Sequence, residues 1–336
     1  MQDVKPVQVP RPNPIAWLNA GLHTLGLSLP FLACVLILAI LPIFVHEEYL
    51  LRLFVQSLYF GTLAMIFDFT GGFINFVNFG FAGFVGLGAY IAAMLSLYTT
   101  LNPWLGLIGA MLVTGLVGFL TGLLTVRLRG IYVSLMSWFV GMTLEALATA
   151  MIKVTRGARG IIVPPMYASI TVVSHLYILL GAMLILYVIL HLIIRSKVGL
   201  AFRAIGQNYE VARASGVNPV KYKLINFSLS CACAGLIGGY YAHFIGIVTP
   251  ELLDMSHTME VMALSFIGGS GSLLGGVFAA FLFIPVFNSL ESLMNYRLVI
   301  YGLSLILIMI FYPAGLGGFY QWLKAFLNSS KGKKPS

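Results

Sequence analysis

Long apolar runs, separated by short stretches carrying charge, Pro or Gly, make up most of this chain. Ten such runs lie near 22–42, 50–68, 82–99, 104–126, 131–152, 173–194, 224–247, 257–272, 276–294 and 298–313. Most are close to the roughly 20 residues a helix needs to cross the hydrocarbon core. Strand-sized alternating segments, the signature of a barrel, are absent. The pattern predicts an all-α polytopic membrane protein with about ten transmembrane helices. The run at 257–272 is short and enters a Gly-rich stretch, 268–276. Segment 70–81 (TGGFINFVNFGF) fits two forms, a broken helix or a re-entrant loop buried against protein.

Composition agrees. Of the 336 residues, 60% are hydrophobic and 9% charged, against about 25% charged in a soluble domain. The net charge of +9 acquires meaning from its placement. With the N-terminus in the cytoplasm, ten spans return the C-terminus there. Lys5, Arg11, Arg127, Arg129, Arg195, Lys197, Arg203, Arg213, Lys221, Lys223, Lys324, Lys331, Lys333 and Lys334 then face inward, 14 of the 19 basic residues. Arg52, Lys153, Arg156, Arg159 and Arg297 face outward. Inner loops carry the excess of Lys and Arg, so both termini are expected inside. Residues 1–336 read as one transmembrane domain, with cytoplasmic tails at 1–20 and 315–336 and a long inner loop at 195–223. The Pro-rich start reads as a solvated tail rather than a cleavable signal.

The motifs of soluble chemistry are missing. There is no phosphate-binding G-x-x-x-x-G-K-[ST], HExxH or GxSxG. His46-Glu47-Glu48 has no second His at helical spacing, and no metal site is expected. Cys34, Cys231 and Cys233 lie in apolar runs and read as small packing residues. The 36 glycines include pairs four apart, Gly118/Gly122 and Gly271/Gly275, a spacing that lets helix backbones approach closely. The clusters at 71–88 and 268–276 are denser than packing requires. Gly-interrupted apolar segments in both halves of a transporter point to the substrate path. Asp68, Glu145, Glu260 and Glu291 lie in or beside apolar runs. A carboxylate there has to face protein or water, so proton relay and hydrogen-bonded helix-end residue both fit. His191 and His243 read as helix-end or packing residues.

The inner loop is the most informative segment. Residues 199–214 are predicted to form a short amphipathic helix, with Leu200, Ile205, Val211 and Ala212 as its apolar members and Arg203, Gln207, Asn208, Glu210 and Arg213 as its polar ones. Gly216 stops it, and Asn218-Pro219 turns the chain back. A rigid polar helix between two spans suits docking; a basic helix on the membrane surface is the other reading.

These residues carry a resemblance. The pattern Gly199, Arg203-Ala204-Ile205, Asn208, Ala212, Gly216-Val217 and Lys221 resembles the cytoplasmic loop of branched-chain amino-acid ABC transporter permeases, M-type subunit. Asn78-Phe79-Gly80, Ala82-Gly83-Phe84, Gly86 and Gly88-Ala89-Tyr90 are similar to the family's Gly-rich third-helix segment. Arg129-Gly130-Ile131-Tyr132, Ala242-His243 with Gly246, Val248 and Pro250, and Gly268-Gly269 with Gly271-Ser272-Leu273 and Gly275 also fit. The likeness runs in order through about 55–315.

The resemblance implies a type II ABC importer-like permease fold in a bacterial inner membrane. It implies transport of branched-chain or related amino acids by alternating access. The implied partners are a second related permease, two cytoplasmic ATP-binding subunits and a periplasmic substrate-binding protein. ATP and Mg would sit on those ATPases, leaving this chain without a cofactor or catalytic residue. By position, Arg203, Asn208, Glu210, Ala212 and Gly216 fall in the ATPase-coupling loop. Asn75, Asn78, Gly80, Gly83, Gly268, Gly269 and Gly271 fall along the translocation path. The sequence departs from the family pattern at the outer mouth, which reads Thr155-Arg156-Gly157-Ala158-Arg159-Gly160, at Phe81, and at Gly206, where a charge is usual. Arg156 and Arg159 would suit an anionic substrate or an acidic binding protein. Importers of this class for urea, amides or aromatic and other carboxylates are the near alternative. An ion-coupled secondary transporter with Glu145 and Asp68 as relay, and a scaffold or channel, are the distant ones.

Overall fold

The computed structural model describes residues 47–99, 102–125, 128, 130–166 and 171–289, with isolated positions at 35, 38–40, 42, 45, 299, 302 and 303. Residues 1–45 and 46–336 form separate units, and the second contains the long helices among the described residues. Apart from those isolated positions, the expected helices at 22–42 and 298–313 lie outside the described residues. So do both tails, Cys34, Arg127, Arg129 and Glu291.

The helices are α1 (Glu48–Gly71), α2 (Phe81–Tyr98), α3 (Pro103–Thr125), α4 (Ile131–Ala150), α5 (Ile152–Thr155), α6 (Val172–Arg195), α7 (Lys197–Gln207), α8 (Tyr209–Ala214), α9 (Pro219–Ile245), α10 (Met255–Gly268) and α11 (Gly275–Ser289). Among the described residues, α1–α4, α6 and α9 are long and apolar enough to cross a membrane. The chain is thus a multi-pass membrane protein. Their limits follow local chemistry. Pro103 and Pro219 open α3 and α9, where a missing N–H costs nothing. Asn218 accepts from the Lys221 N–H at 3.2 Å, and Gly246, at φ 82°, closes α9. The run expected at 257–272 becomes α10, of 14 residues, shorter than a full span, and the described part of the run at 276–294 is α11, of 15 residues.

In lipid, apolar side chains gain little by leaving the solvent, so helices associate through close packing and hydrogen bonds. Here glycine sets the contacts. Gly88 of α2 meets Gly235 of α9 backbone to backbone, and Gly118 and Gly122 of α3 lie on Cys231 and Leu224 of α9. Asn226 Nδ2 donates to the Phe69 carbonyl at 2.9 Å, and Ser230 Oγ to that of Ile66 at 3.3 Å. Helices α1 and α9 are largely buried, whereas most of α4 is exposed or half-buried.

Segment 72–80 takes the irregular form, lying between α1 and α2. Phe73, Ile74, Phe76 and Asn78 are buried, as non-helical backbone at membrane depth must be. The Phe79 N–H donates to Ser137 Oγ at 3.1 Å, and Gly80 and Gly83 pack on α4 at Ser137 and Gly141. Those two positions are about 9–15 Å along α4 from Ile131, so α2 begins well inside the protein's depth. A second fold-back lies opposite. After α9 the chain forms β2 (Ile247–Val248), antiparallel to β1 (Ile161–Ile162). It then enters the turn Pro250–Leu253, whose Leu253 presses on Gly86. Thr258 Oγ1 of α10 accepts the Ala82 N–H at 3.0 Å. His243 is hydrogen-bonded to the Pro164 carbonyl at 2.9 Å and to Ser96 Oγ at 3.3 Å, pinning the 156–166 loop to α2 and α9.

A Cβ at Gly80 would lie 1.9 Å from the Ser137 carbonyl oxygen, whereas one at Gly181 would meet nothing within 4 Å. Gly80→Ala is therefore expected to destabilise the detergent-solubilised protein by about 1–3 kcal/mol, and Gly181→Ala to be neutral. Thermal unfolding of the two variants checks this; equal midpoints would refute it.

Candidate functional site

The loop joining α6 to α9 forms two helices rather than the single one expected over 199–214. Asn208 is the break: it adopts an extended backbone, and its Oδ1 accepts the Glu210 and Val211 N–H groups at 3.0 and 3.1 Å. This is N-capping, for which Asn is among the preferred residues. The apolar members divide between two faces. Ala201, Phe202, Ile205 and Ala212 turn inward, while Leu200 and Val211 stand 70% and 60% exposed beside Arg203, Glu210 and Arg213. Gly216, at φ 84°, is exposed after α8. Of the five expected coupling residues, Arg203, Asn208, Glu210 and Gly216 share the outer face, and Ala212 anchors the loop from within.

This loop is seated on the re-entrant segment. A Cβ at Gly206 would lie 2.5 Å from the Phe73 carbonyl oxygen, which accounts for glycine where the family pattern has a charge. The Arg203 guanidinium stands 5.7 Å from the Phe73 ring centre, and Phe202 meets Phe69 edge-on at 5.7 Å. Phe69 is in the last turn of α1, next to Asp68.

Asp68 is 3% exposed. Its Oδ1 accepts the Gly271 N–H at 2.7 Å and its Oδ2 the Leu273 N–H at 3.0 Å. The carboxylate thus grips the turn between α10 and α11, where Leu273 holds a left-handed backbone at φ 51° and Gly269 and Gly271 lie at φ 103° and 80°. Gly72 sits against both Asp68 and Gly271, with no room for a side chain. Of the two readings for Asp68, the geometry supplies the hydrogen-bonded helix end. No sequence signal links Asp68 to a turn more than two hundred positions away, and this clasp is what sequence reasoning missed.

The residues expected along a path fall into two groups. Asn75, exposed and at φ 58°, Asn78, Gly80 and Gly83 belong to the re-entrant segment and its contact with α4. Gly268, Gly269 and Gly271 form the α10–α11 turn, where Gly268 and Gly275 touch through their backbones. Gly80 lines a cavity of about 150 Å³ on the side of α4, together with Trp138, Glu145 and Asp254. Asp254 caps α10 by accepting the Ser256 N–H at 2.7 Å. A second cavity, of about 160 Å³, lies among α1, α2, α9 and α10. Arg156 and Arg159 are exposed on the loop beside β1; Arg156 is left-handed at φ 60°. Among the described residues no His, Cys, Asp and Glu group fit for a metal is present.

Comparison with known proteins agrees with this architecture. The family described as "Branched-chain amino acid transport system / permease component" matches residues 49–311. The chain belongs to that family. It is 29% identical to the high-affinity branched-chain amino acid transport system permease protein LivM of Salmonella typhimurium, over 76% of this chain and 68% of the relative. It is 26% identical to a probable branched-chain amino acid transport permease protein LivH of Methanocaldococcus jannaschii, over 76% of this chain and 88% of the relative. The nucleoside ABC transporter permease protein NupC of Lactococcus lactis is 25% identical, over 58% and 68% of the two chains. No solved structure matches.

Within this permease the clasp makes a graded prediction. Asp68→Ala strands the buried Leu273 N–H, at about 1–3 kcal/mol, and leaves the part-buried Gly271 N–H to water, while Asp68→Asn keeps one oxygen acceptor. Thermal unfolding in detergent is expected to fall most for Asp68→Ala and by less for Asp68→Asn. Wild-type midpoints for both would contradict the clasp.

Proposed function

We propose that this chain is the membrane-spanning permease of an ATP-driven importer for branched-chain or related amino acids. It has about ten spans in a type II importer-like arrangement in a bacterial inner membrane, with both termini cytoplasmic. It works beside a second related permease, two cytoplasmic ATP-binding subunits and a periplasmic substrate-binding protein. ATP and Mg are bound by the ATPases, and this chain carries no cofactor or catalytic residue of its own.

The observation that carries this reading is the outer face of α7–α8. Leu200 and Val211 are exposed apolar side chains set among Arg203, Glu210 and Arg213. That mixture suits an interface with an apolar centre and a polar rim. Behind that face, Gly206 and Phe202 make rigid contact with segment 73–74 and α1. A push from a docked ATPase would pass through these contacts to Asp68 and on to the α10–α11 turn. The Gly-rich segments around Asn75, Asn78, Gly80, Gly83, Gly268, Gly269 and Gly271 would then shift against each other and shape the translocation path. Alternating access follows if the two fold-backs move as units.

The permease should co-purify with its ATPases, and Leu200→Glu or Arg203→Glu should abolish co-purification or leave ATP hydrolysis without uptake. Normal assembly and coupled uptake in both variants would sink the coupling role. At the other face, Arg156 and Arg159 form a basic mouth suited to an acidic surface on the binding protein or to an anionic substrate. Arg156→Ala with Arg159→Ala is expected to weaken binding-protein docking or uptake, more strongly at low salt. Unchanged docking and uptake would rule out a role for the pair.

A further inference from the structure

The cavity among α1, α2, α9 and α10 takes no part in the coupling contacts. Its volume of about 160 Å³ is close to that of the apolar cavity that holds one benzene ring, about 150 Å³. Both α1 and α10 meet at the Asp68–Gly271 clasp. Counting back from it, Gln56–Leu63 lie about 8–18 Å along α1, and His257 about 16 Å along α10 from Gly268. Gln56–Leu63 are also the middle of the 24-residue α1, so the cavity sits midway along a spanning helix, beside the buried start of α2.

Its walls are of two kinds. Phe60, Leu63, Phe81, Val85, Leu252 and Val261 give an apolar surface. Gln56 and His257 give a polar end, next to the stacked pair Tyr59 and Tyr241, whose ring centres are 3.6 Å apart. His257 Nδ1 stands 3.6 Å from Glu260 Oε2, a carboxylate whose side chain is 6% exposed. An ionisable pair at membrane depth is costly and marks a substrate or ion pathway by default. The Gln56 Oε1 already accepts from Asn288 Nδ2 at 3.0 Å, which leaves the Gln56 amide N–H₂ to donate. With Nδ1 turned to Glu260, the imidazole has Nε2 left for an occupant. Mostly apolar walls with a few convergent donors are the usual make-up of a small-molecule site.

We propose that this cavity is a substrate subsite within the permease. It receives a branched aliphatic or small aromatic side chain against Phe60, Leu63, Val85 and Val261, with the substrate's carboxylate at Gln56 and His257. This rests on the amino-acid transport reading and deepens it, because it places side-chain selection inside this chain as well as in a binding protein.

The test is competition between leucine and phenylalanine for uptake by the complete transporter in proteoliposomes. Val261→Phe reduces the cavity and should raise KM for leucine about tenfold, the scale on which apolar pockets discriminate. Leu63→Ala enlarges it and should shift preference toward phenylalanine by a similar factor. Leu63→Ala also keeps the test open if Val261→Phe does not assemble. Wild-type KM and leucine-to-phenylalanine ratio in assembled Leu63→Ala would overturn the subsite alone. Absence of uptake of either amino acid by the wild-type transporter would overturn the transport reading and the subsite with it.

Discussion

The arrangement of this permease depends on one carboxylate. Asp68 ends the most buried helix and holds the N–H groups of Gly271 and Leu273, from a turn that needs three left-handed residues. The turn satisfies the Gly269, Ser272, Leu274 and Gly275 N–H groups from its own atoms and the end of α10, and those of Gly271 and Leu273 take their acceptor from α1. The carboxylate gives one oxygen to each. With the turn fixed, α10 can stop short of a full span. The N-terminal end of α10 then reaches the start of α2, where Thr258 accepts the Ala82 N–H.

Close packing turns that local grip into a connected path. Gly72, Gly206 and Gly268 each occupy a place where a methyl group would strike backbone or the carboxylate itself. The surfaces they bring together therefore have little slack. Motion at α7 cannot be absorbed by side-chain rearrangement at these crossings, because there are no side chains there to rearrange. It has to move the re-entrant segment, the end of α1 or the turn beyond it.

Much of this is legible in the chain. Eight of the ten expected apolar runs lie at helices whose limits differ by only a few residues, since Pro103, Pro219, Gly246 and the loop charges mark them by local chemistry. The coupling loop is legible in its polarity but not in its break, because Asn208 is both a tolerable helix residue and a good cap, and only the surrounding packing selects the cap. At 100° per residue Leu200 and Val211 already stand well away from Ile205 and Ala212, so these four share apolarity rather than a face. The clasp and the cavity are not legible at all. Both join residues far apart in sequence, and nothing in the pattern around Asp68 distinguishes an acceptor for a remote turn from a relay. The same holds for Glu260, whose neighbour His257 gains meaning only when Gln56 and Tyr59 stand opposite.

The long reach of the clasp bears on how the protein is made. Asp68 and Gly271 are 203 positions apart, and synthesis at about 5–20 residues per second takes roughly 10–40 s to cover that distance. During this interval the carboxylate is already on the chain and its donors do not yet exist. An unmatched carboxylate in lipid costs a few kcal/mol, so the end of α1 has to wait at the water boundary or carry a proton. The final seating of α1 is thus a late event in biosynthesis, timed by the emergence of a glycine turn far along the chain.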